Sequence, residues 1–292
     1  LHSWVGGEPD LKTRSRRMVW FNLSWSAGFG FGPLLAGPLY DYLYWSPFVA
    51  IAVLGAMVVT LLHSIPHERD FFAAAAQEVL AARAEHDRQS EAFLYAAWCA
   101  TLVANALTNA TRAVYAKRVE DLVIAGRLRL LFERMPAEFM GVDPATKYSL
   151  AASALALTTA LCFVVLGRTQ GWRHRVGLLF GTQAAAAGAC WLLGNTDSLL
   201  IMAACFAVVG ANHGVAFFSS VYYSVANATH KHRRTAINEA AVGVGCLAGG
   251  LLYGFLAQHA GIGRAFEWTP AVVGAALAVQ CGLLRYGRRR WA

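Results

Sequence analysis

Charge is what this sequence has least of. Asp, Glu, Lys and Arg make up 14% of the 292 residues, against roughly 25% in an average soluble protein. That scarcity excludes a disordered chain, a nucleic-acid-binding domain of the basic, polar kind and most soluble enzymes. Paired cysteines are missing too. Cys99, Cys162, Cys190, Cys205, Cys246 and Cys281 stand singly inside apolar stretches, without the spacing that a zinc site or disulfide framework needs, and suit small core hydrophobes. No secretory signal is visible, because the first apolar run begins only after Arg17 and is too long for one. GxSxG, HExxH, a phosphate loop and paired carboxylates in a plausible site are absent, so no cofactor or metal is expected.

Apolar residues fill the space instead, at 57% with a net charge of +8. Stretches free of Lys, Arg, Asp and Glu cover 18–40, 42–62, 92–111, 148–167, 176–196, 198–229, 240–263 and 268–284. Each is long enough for a helix to cross about 30 Å of hydrocarbon at about 1.5 Å per residue. Their Ala, Gly and Leu content suits packed membrane helices, and no ten-residue alternation suggests a barrel. The expected fold is an all-α polytopic membrane protein with eight transmembrane helices.

All 25 basic residues lie outside these runs. One side carries 17 of them: Lys12, Arg14, Arg16, Arg17, Arg69, Arg83, Arg88, Arg168, Arg173, Arg175, Lys231, Arg233, Arg234, Arg285, Arg288, Arg289 and Arg290. That side, with the C-terminus, is expected to be cytoplasmic. Segment 112–147 is the exception on the outer side, holding Arg112, Lys117, Arg118, Arg127, Arg129, Arg134 and Lys147. Its Leu122, Leu128, Leu130, Leu131 and Phe132 suggest an amphipathic extension of the third run. Segment 64–91, rich in Ala, Glu and Gln, has Phe72, Ala76, Val79 and Leu80 at helical spacing and is expected to be a cytoplasmic linker helix.

The first and seventh runs resemble each other. Gly30, Gly32, Ala36, Gly37, Leu39 and Tyr40 recur at a constant offset as Gly243, Gly245, Gly249, Gly250, Leu252 and Tyr253, and Asn22 has a counterpart in Asn238. Residues 28–37, Gly-Phe-Gly-Phe-Gly-Pro-Leu-Leu-Ala-Gly, resemble the G-x-x-x-G-P-x-x-[GA]-G signature of the major facilitator superfamily, although Val19 stands where the family pattern has a further Gly. Physically, Gly28, Gly32 and Gly37 let a neighbouring helix approach, and Pro33 permits a bend.

That resemblance makes the eight runs helices five to twelve of a twelve-helix carrier whose first four helices lie upstream of Leu1. It assigns 1–63 to the end of the N-terminal six-helix bundle, 64–91 to the central linker and 92–292 to the C-terminal bundle. The implied function is secondary active transport of a small solute by alternating access, with proton-coupled efflux preferred, in a bacterial inner membrane and as a monomer. The alternatives are a polytopic enzyme acting on lipid-linked substrates and a transport-inactive sensor.

Polar residues inside the runs are the functional candidates, because each needs a partner, water or a ligand. Asn105, Asn109, Asn212 and His213 either line a solute cavity or join helices by hydrogen bonds, and His213 is also a candidate proton carrier. Their near-neutral character argues against a strongly charged solute. Gly28, Gly32, Pro33, Ala36, Gly37, Gly245, Gly249 and Gly250 are expected to pack helices or permit sliding, together with Asn22 and Asn238. Glu239 with Arg233 or Arg234 forms a candidate latch. Thr182 and Gln183 are expected to be packing groups.

Overall fold

The computed structural model describes residues 20, 28, 32, 35, 39, 42–64, 80–131, 133, 143–226 and 231–291. Among them stand helices α1 (Ser46–Ser64), α2 (Leu80–Ala113), α3 (Tyr115–Ile124), α4 (Pro144–Arg168), α5 (Val176–Asn195), α6 (Leu199–Ala226), α7 (Lys231–Ala260), α8 (Ile262–Glu267) and α9 (Thr269–Trp291). The described residues form no strand beyond an isolated bridge between Arg129 and Ser198. Local signals set the ends: Asp143 accepts the Ala145 N–H at 2.7 Å with Pro144 in the first turn of α4, and Gly261 at φ 90° ends α7.

Five stretches are long and apolar enough to cross a membrane: Pro144–Arg168, Val176–Asn195, Leu199–Val225, Arg233–Ala260 and Ile262–Gly287. Their outward faces are apolar as well. Leu150, Leu157, Leu161 and Val165 on α4, with Val244, Leu247, Leu251 and Phe255 on α7, are between 45% and 66% exposed. Such stripes at helical spacing suit a hydrocarbon solvent. The chain is thus a membrane-embedded helical bundle. The boundary expected between 91 and 92 falls inside α2, which continues unbroken from the end of the linker. Asn22, Pro33, Ala36 and Gly37, with linker residues Phe72, Ala76 and Val79, lie outside the described residues.

Two parallel helix pairs organise the bundle. Leu102 meets Gly245 and Ala106 meets Gly249, so α2 and α7 run side by side at a fixed offset. Leu155 meets Gly210 and Thr159 meets Gly214 in the same way between α4 and α6. Both pairs use two glycines four residues apart, which lets one helix rest on the backbone of the other. The central contact, α2 with α6, is antiparallel: Trp98 Nε1 donates to Ser224 Oγ (2.9 Å) and Thr101 Oγ1 to Ser220 Oγ (2.8 Å).

The pairing has an internal symmetry. Exchanging α2, α4 and α5 for α6, α7 and α9 turns the α2–α7 contact into α4–α6 and the α2–α9 contact into α5–α6, and it maps α2–α6 and α5–α9 onto themselves. The lesser α6–α7 contact has no comparable counterpart.

On the opposite side from the linker, α3 is a ten-residue helix that buries Tyr115, Val119 and Leu122, too short to span. The segment after it bonds the α5–α6 connection: Arg129 N–H donates to the Asp197 carbonyl, and the Leu199 and Leu200 N–H groups donate to the Arg129 and Leu130 carbonyls. Asp197 also pairs with Arg118 (3.4 Å) and Arg127 (2.8 Å), while Lys117 pairs with Glu120 and Asp121 (both 3.1 Å). Several charges that make this segment an exception to the basic-residue asymmetry are therefore neutralised locally. Hydrogen bonds to Glu120 and Asp121 push the Lys117 ammonium upward. Tyr115 donates to the Leu193 carbonyl at 2.9 Å, and burial pushes its phenol well above the ordinary range.

Candidate functional site

The apolar core is divided in two. One cluster joins Val103, Leu107, Leu155, Ala186, Val209 and Val273, and the other joins Ala104, Phe163, Leu179, Val215 and Leu284. Polar side chains fall between the clusters on five helices: Asn105 and Thr108 on α2, Thr159 on α4, Gln183 on α5, Asn212 and His213 on α6, and Gln280 on α9. The parallel and antiparallel registers above bring Asn105, Thr108, Thr159, Asn212 and His213 to about one level, and Gln183 and Gln280 meet between α5 and α9. They form a buried polar layer across the middle of the bundle.

Part of the layer is satisfied internally. Gln183 and Gln280, both fully buried, exchange amide hydrogen bonds at 2.9 and 2.7 Å. Thr159 Oγ1 donates to the Gly210 carbonyl at 2.9 Å, and Asn105 Nδ2 donates to the Thr101 carbonyl at 2.8 Å. The rest is not. Asn212 has no exposed surface, yet neither its amide oxygen nor its nitrogen has a hydrogen-bond partner, and Thr108 Oγ1 has none either. A buried amide left without a protein partner costs roughly 1–3 kcal/mol.

The sequence candidates Asn105 and Asn109 converge on Cys246 of α7. The Cys246 thiol donates to Asn105 Oδ1 at 3.7 Å, and Asn109 Nδ2 donates to the Cys246 carbonyl at 2.5 Å. His213 lies over the Phe217 ring, 5.9 Å between centroids and 16° from parallel. Arg112 lies within electrostatic reach of His213, Cys246 and Tyr148, and the Tyr148 hydroxyl donates to the Thr111 and Arg112 carbonyls at 3.1 and 3.0 Å. Asn105, Asn212 and His213 are buried to 3% exposure or less, whereas Asn109 is half-buried. The grouping is therefore an interior polar cluster of α2, α6 and α7, with Arg112 and Tyr148 toward its α3 end.

The packing candidates separate. Gly245 and Gly249 rest on the α2 backbone, and Gly250 faces the Asn109 side chain; Gly28 and Gly32 are helical. Arg234 reaches across to Glu91 of α2, while Arg233 and Glu239 are exposed on α7. One turn from Arg234, Asn238 is 1% exposed with both amide atoms unpartnered.

Sequence reasoning missed Arg112, Thr159, Gln280, Gly210 and Gly214. Arg112 carried a usable signal, since Thr101, Asn105, Thr108 and Arg112 fall at spacings of four, three and four along one helical face. Gln280 is likewise the lone amide of its run. The chain matches no family model, no curated protein and no solved structure.

Proposed function

We propose that this chain is the helical core of a secondary carrier of the major facilitator type, moving a small solute across a cytoplasmic membrane by alternating access. The observation that carries the proposal is the exchange relation between α2–α4–α5 and α6–α7–α9. With α2 and α6 antiparallel, it is an inverted three-helix repeat, a construction recurrent in carriers, with the solute site near the midplane between repeats. Asn212 stands midway along α6, and the unpartnered side-chain atoms of Asn212 and Thr108 support a solute-contacting role. The two glycine-lined pairs supply contacts on which one helix can slide along another. In this reading the runs at 18–40 and 42–62 bring the spans to eight, the basic loops face the cytoplasm, and protons are the coupling ion.

Flux tests it. The chain is reconstituted in sealed proteoliposomes, and uptake of a panel of labelled neutral and charged small solutes is followed with and without an imposed pH gradient. The carrier reading expects saturable uptake of at least one solute, driven by the gradient and reduced at least tenfold by Asn212→Ala. Solute binding without uptake identifies a sensor and refutes the carrier.

A further inference from the structure

At the end of the bundle where Arg234 meets Glu91, exposed cations follow the lipid-facing surface. Four of the five apolar spanning stretches carry an exposed arginine there. Arg168 closes α4, Arg175 immediately precedes α5, Arg233 stands in the first turn of α7, and Arg285 lies near the end of α9. Each continues the exposed apolar face of its own helix. Arg168 follows Leu161 and Val165 by seven and three residues, and Arg175 precedes Leu178 by three. Arg233 precedes Ile237 by four, and Arg285 follows Cys281 by four. The fifth stretch, on α6, is 61% buried, against 17–44% for the others, and α6 holds no Lys or Arg. Among the described residues no carboxylate pairs with any of the four. At this end Glu91 takes Arg234, and Glu239, exposed on α7, pairs with none of them. Earlier on α2, Glu85 and Asp87 are matched in the sequence by Arg83 and Arg88. Exposed tyrosines stand beside this end, Tyr95 one turn beyond Glu91 and Tyr286 next to Arg285, as aromatics do at a membrane interface.

We propose that this end of the bundle docks anionic phospholipid headgroups, with Arg168, Arg175, Arg233 and Arg285 binding their phosphates. Position selects a lipid over a soluble partner, because the four residues extend faces that already meet hydrocarbon and so stand at headgroup level. Charge selects an anionic headgroup over a zwitterionic one. Both present a phosphate, but the zwitterion brings its own cation, whereas these arginines lack a protein counter-charge. A guanidinium holds phosphate through two parallel N–H donors, and one cation at a membrane surface favours an anionic lipid about fivefold. The α4–α5 connection is fixed for the purpose. Trp172, buried, donates its indole N–H to the Leu166 and Thr169 carbonyls at 2.7 and 3.0 Å, which anchors the backbone between Arg168 and Arg175. The opposite end is differently built. There Lys117 pairs with Glu120 and Asp121, and Arg118 and Arg127 share Asp197, while Arg129 and Arg264 are exposed. The proposal depends on the membrane-embedded fold and not on transport.

The test is native mass spectrometry of the detergent-solubilised chain with equimolar dioleoyl phosphatidylglycerol and dioleoyl phosphatidylcholine. The two lipids share acyl chains and a phosphate and differ in net charge. At low ionic strength the wild type is expected to retain phosphatidylglycerol over phosphatidylcholine about fivefold. In about 1 M salt, where screening reaches within about 3 Å, the preference is expected to vanish. Replacing all four residues (Arg168→Gln, Arg175→Gln, Arg233→Gln, Arg285→Gln) is expected to bring the two lipids to parity. Arg129→Gln with Arg264→Gln, at the opposite end, is expected to leave the preference unchanged. Inorganic phosphate in excess is the free-anion arm, and is expected not to displace the lipid. No preference in the wild type, a preference that persists in high salt, or an undiminished preference in the fourfold variant would each overturn the docking surface. So would an equal loss in the opposite-end variant, or displacement by inorganic phosphate, which would mark a site for the free anion. If the fourfold variant is not monodisperse, two double variants replace it, Arg168→Gln with Arg175→Gln and Arg233→Gln with Arg285→Gln. Each is expected to lower the preference about twofold, and an undiminished preference in both refutes the surface.

Discussion

Replacing Gly210 with alanine should separate α6 from α4. A Cβ built at Gly210 would lie 2.8 Å from the Leu155 carbonyl carbon and 2.9 Å from its Cα, with the carbonyl oxygen nearer still. All three atoms are backbone, so no side-chain rotation relieves the clash. Restoring ordinary contact with that oxygen at about 3.4 Å moves α4 by about 1.2 Å. The Thr159 Oγ1 to Gly210 carbonyl bond, 2.9 Å in the native chain, then stretches past about 3.5 Å and is lost. Overpacking of this kind costs about 1–3 kcal/mol, and loss of an interhelical hydrogen bond in a membrane adds about 0.6 kcal/mol. The better helix propensity of alanine returns at most about 1 kcal/mol, leaving a net loss of roughly 1–3 kcal/mol. Gly188 on α5 has open space at its Cβ position, so Gly188→Ala should be neutral or stabilising. The assay is thermal unfolding in detergent, followed by a thiol-reactive dye that reports Cys190 and Cys205, both buried. At about 2–4 °C per kcal/mol for a chain of this size, Gly210→Ala should melt several degrees lower and Gly188→Ala no lower than wild type. Equal tolerance of both substitutions would refute the close packing of α4 on α6.

Three further outcomes follow from the geometry. Gln183→Leu or Gln280→Leu alone strands a fully buried amide and should destabilise by about 1–3 kcal/mol, whereas the double Leu variant should recover most of that loss; additive losses in the double-mutant cycle would contradict the reciprocal pair. Asp197→Asn removes the shared partner of Arg118 and Arg127. Because these groups are partly to largely exposed, the cost should be about 1 kcal/mol or less, visible chiefly as faster trypsin cleavage after Arg127 and Arg129, and unchanged cleavage would argue against the tether. Tyr115 has a folded-state pKa raised by burial, so its contribution is complete below the unfolded phenol value of about 10 and declines as pH rises beyond it. Tyr115→Phe should flatten the alkaline limb of the stability profile, and an unchanged limb would place the titration elsewhere.

Helix existence was legible in the sequence, and helix pairing was not. Seven of the eight uncharged runs overlap described helices, because excluding charge from about 20 residues is a one-dimensional signal. The expected linker boundary marks a change of composition and not a helix end, because charges end a lipid-facing run without ending a helix; α2 continues through them. Gly245 and Gly249 were recognisable as small residues, but Gly210 and Gly214 flank Asn212 and His213, whose polarity drew the functional reading to that stretch. Which face each glycine presents depends on a partner more than 50 residues away. Asn105, Asn109, Asn212 and His213 were identified by residue type, yet type alone does not distinguish a bonded amide from an unsatisfied one. Asn105 has partners and Asn212 has none. Arg112 was counted among loop charges because it follows the run, although its helical face belongs to the cluster.

Cys246 offers the most direct test of the account. It is half-buried and touches both Asn105 and Asn109, so it reports on the polar cluster without an introduced residue. With Cys99, Cys162, Cys190, Cys205 and Cys281 replaced by alanine, the chain is placed in sealed proteoliposomes of known orientation. A membrane-impermeant methanethiosulfonate is then added from either face. An alternating-access carrier predicts that Cys246 is modified from both faces, and that solute shifts the ratio of the two rates. Modification from one face only, or from neither, whatever solute is present, would contradict it.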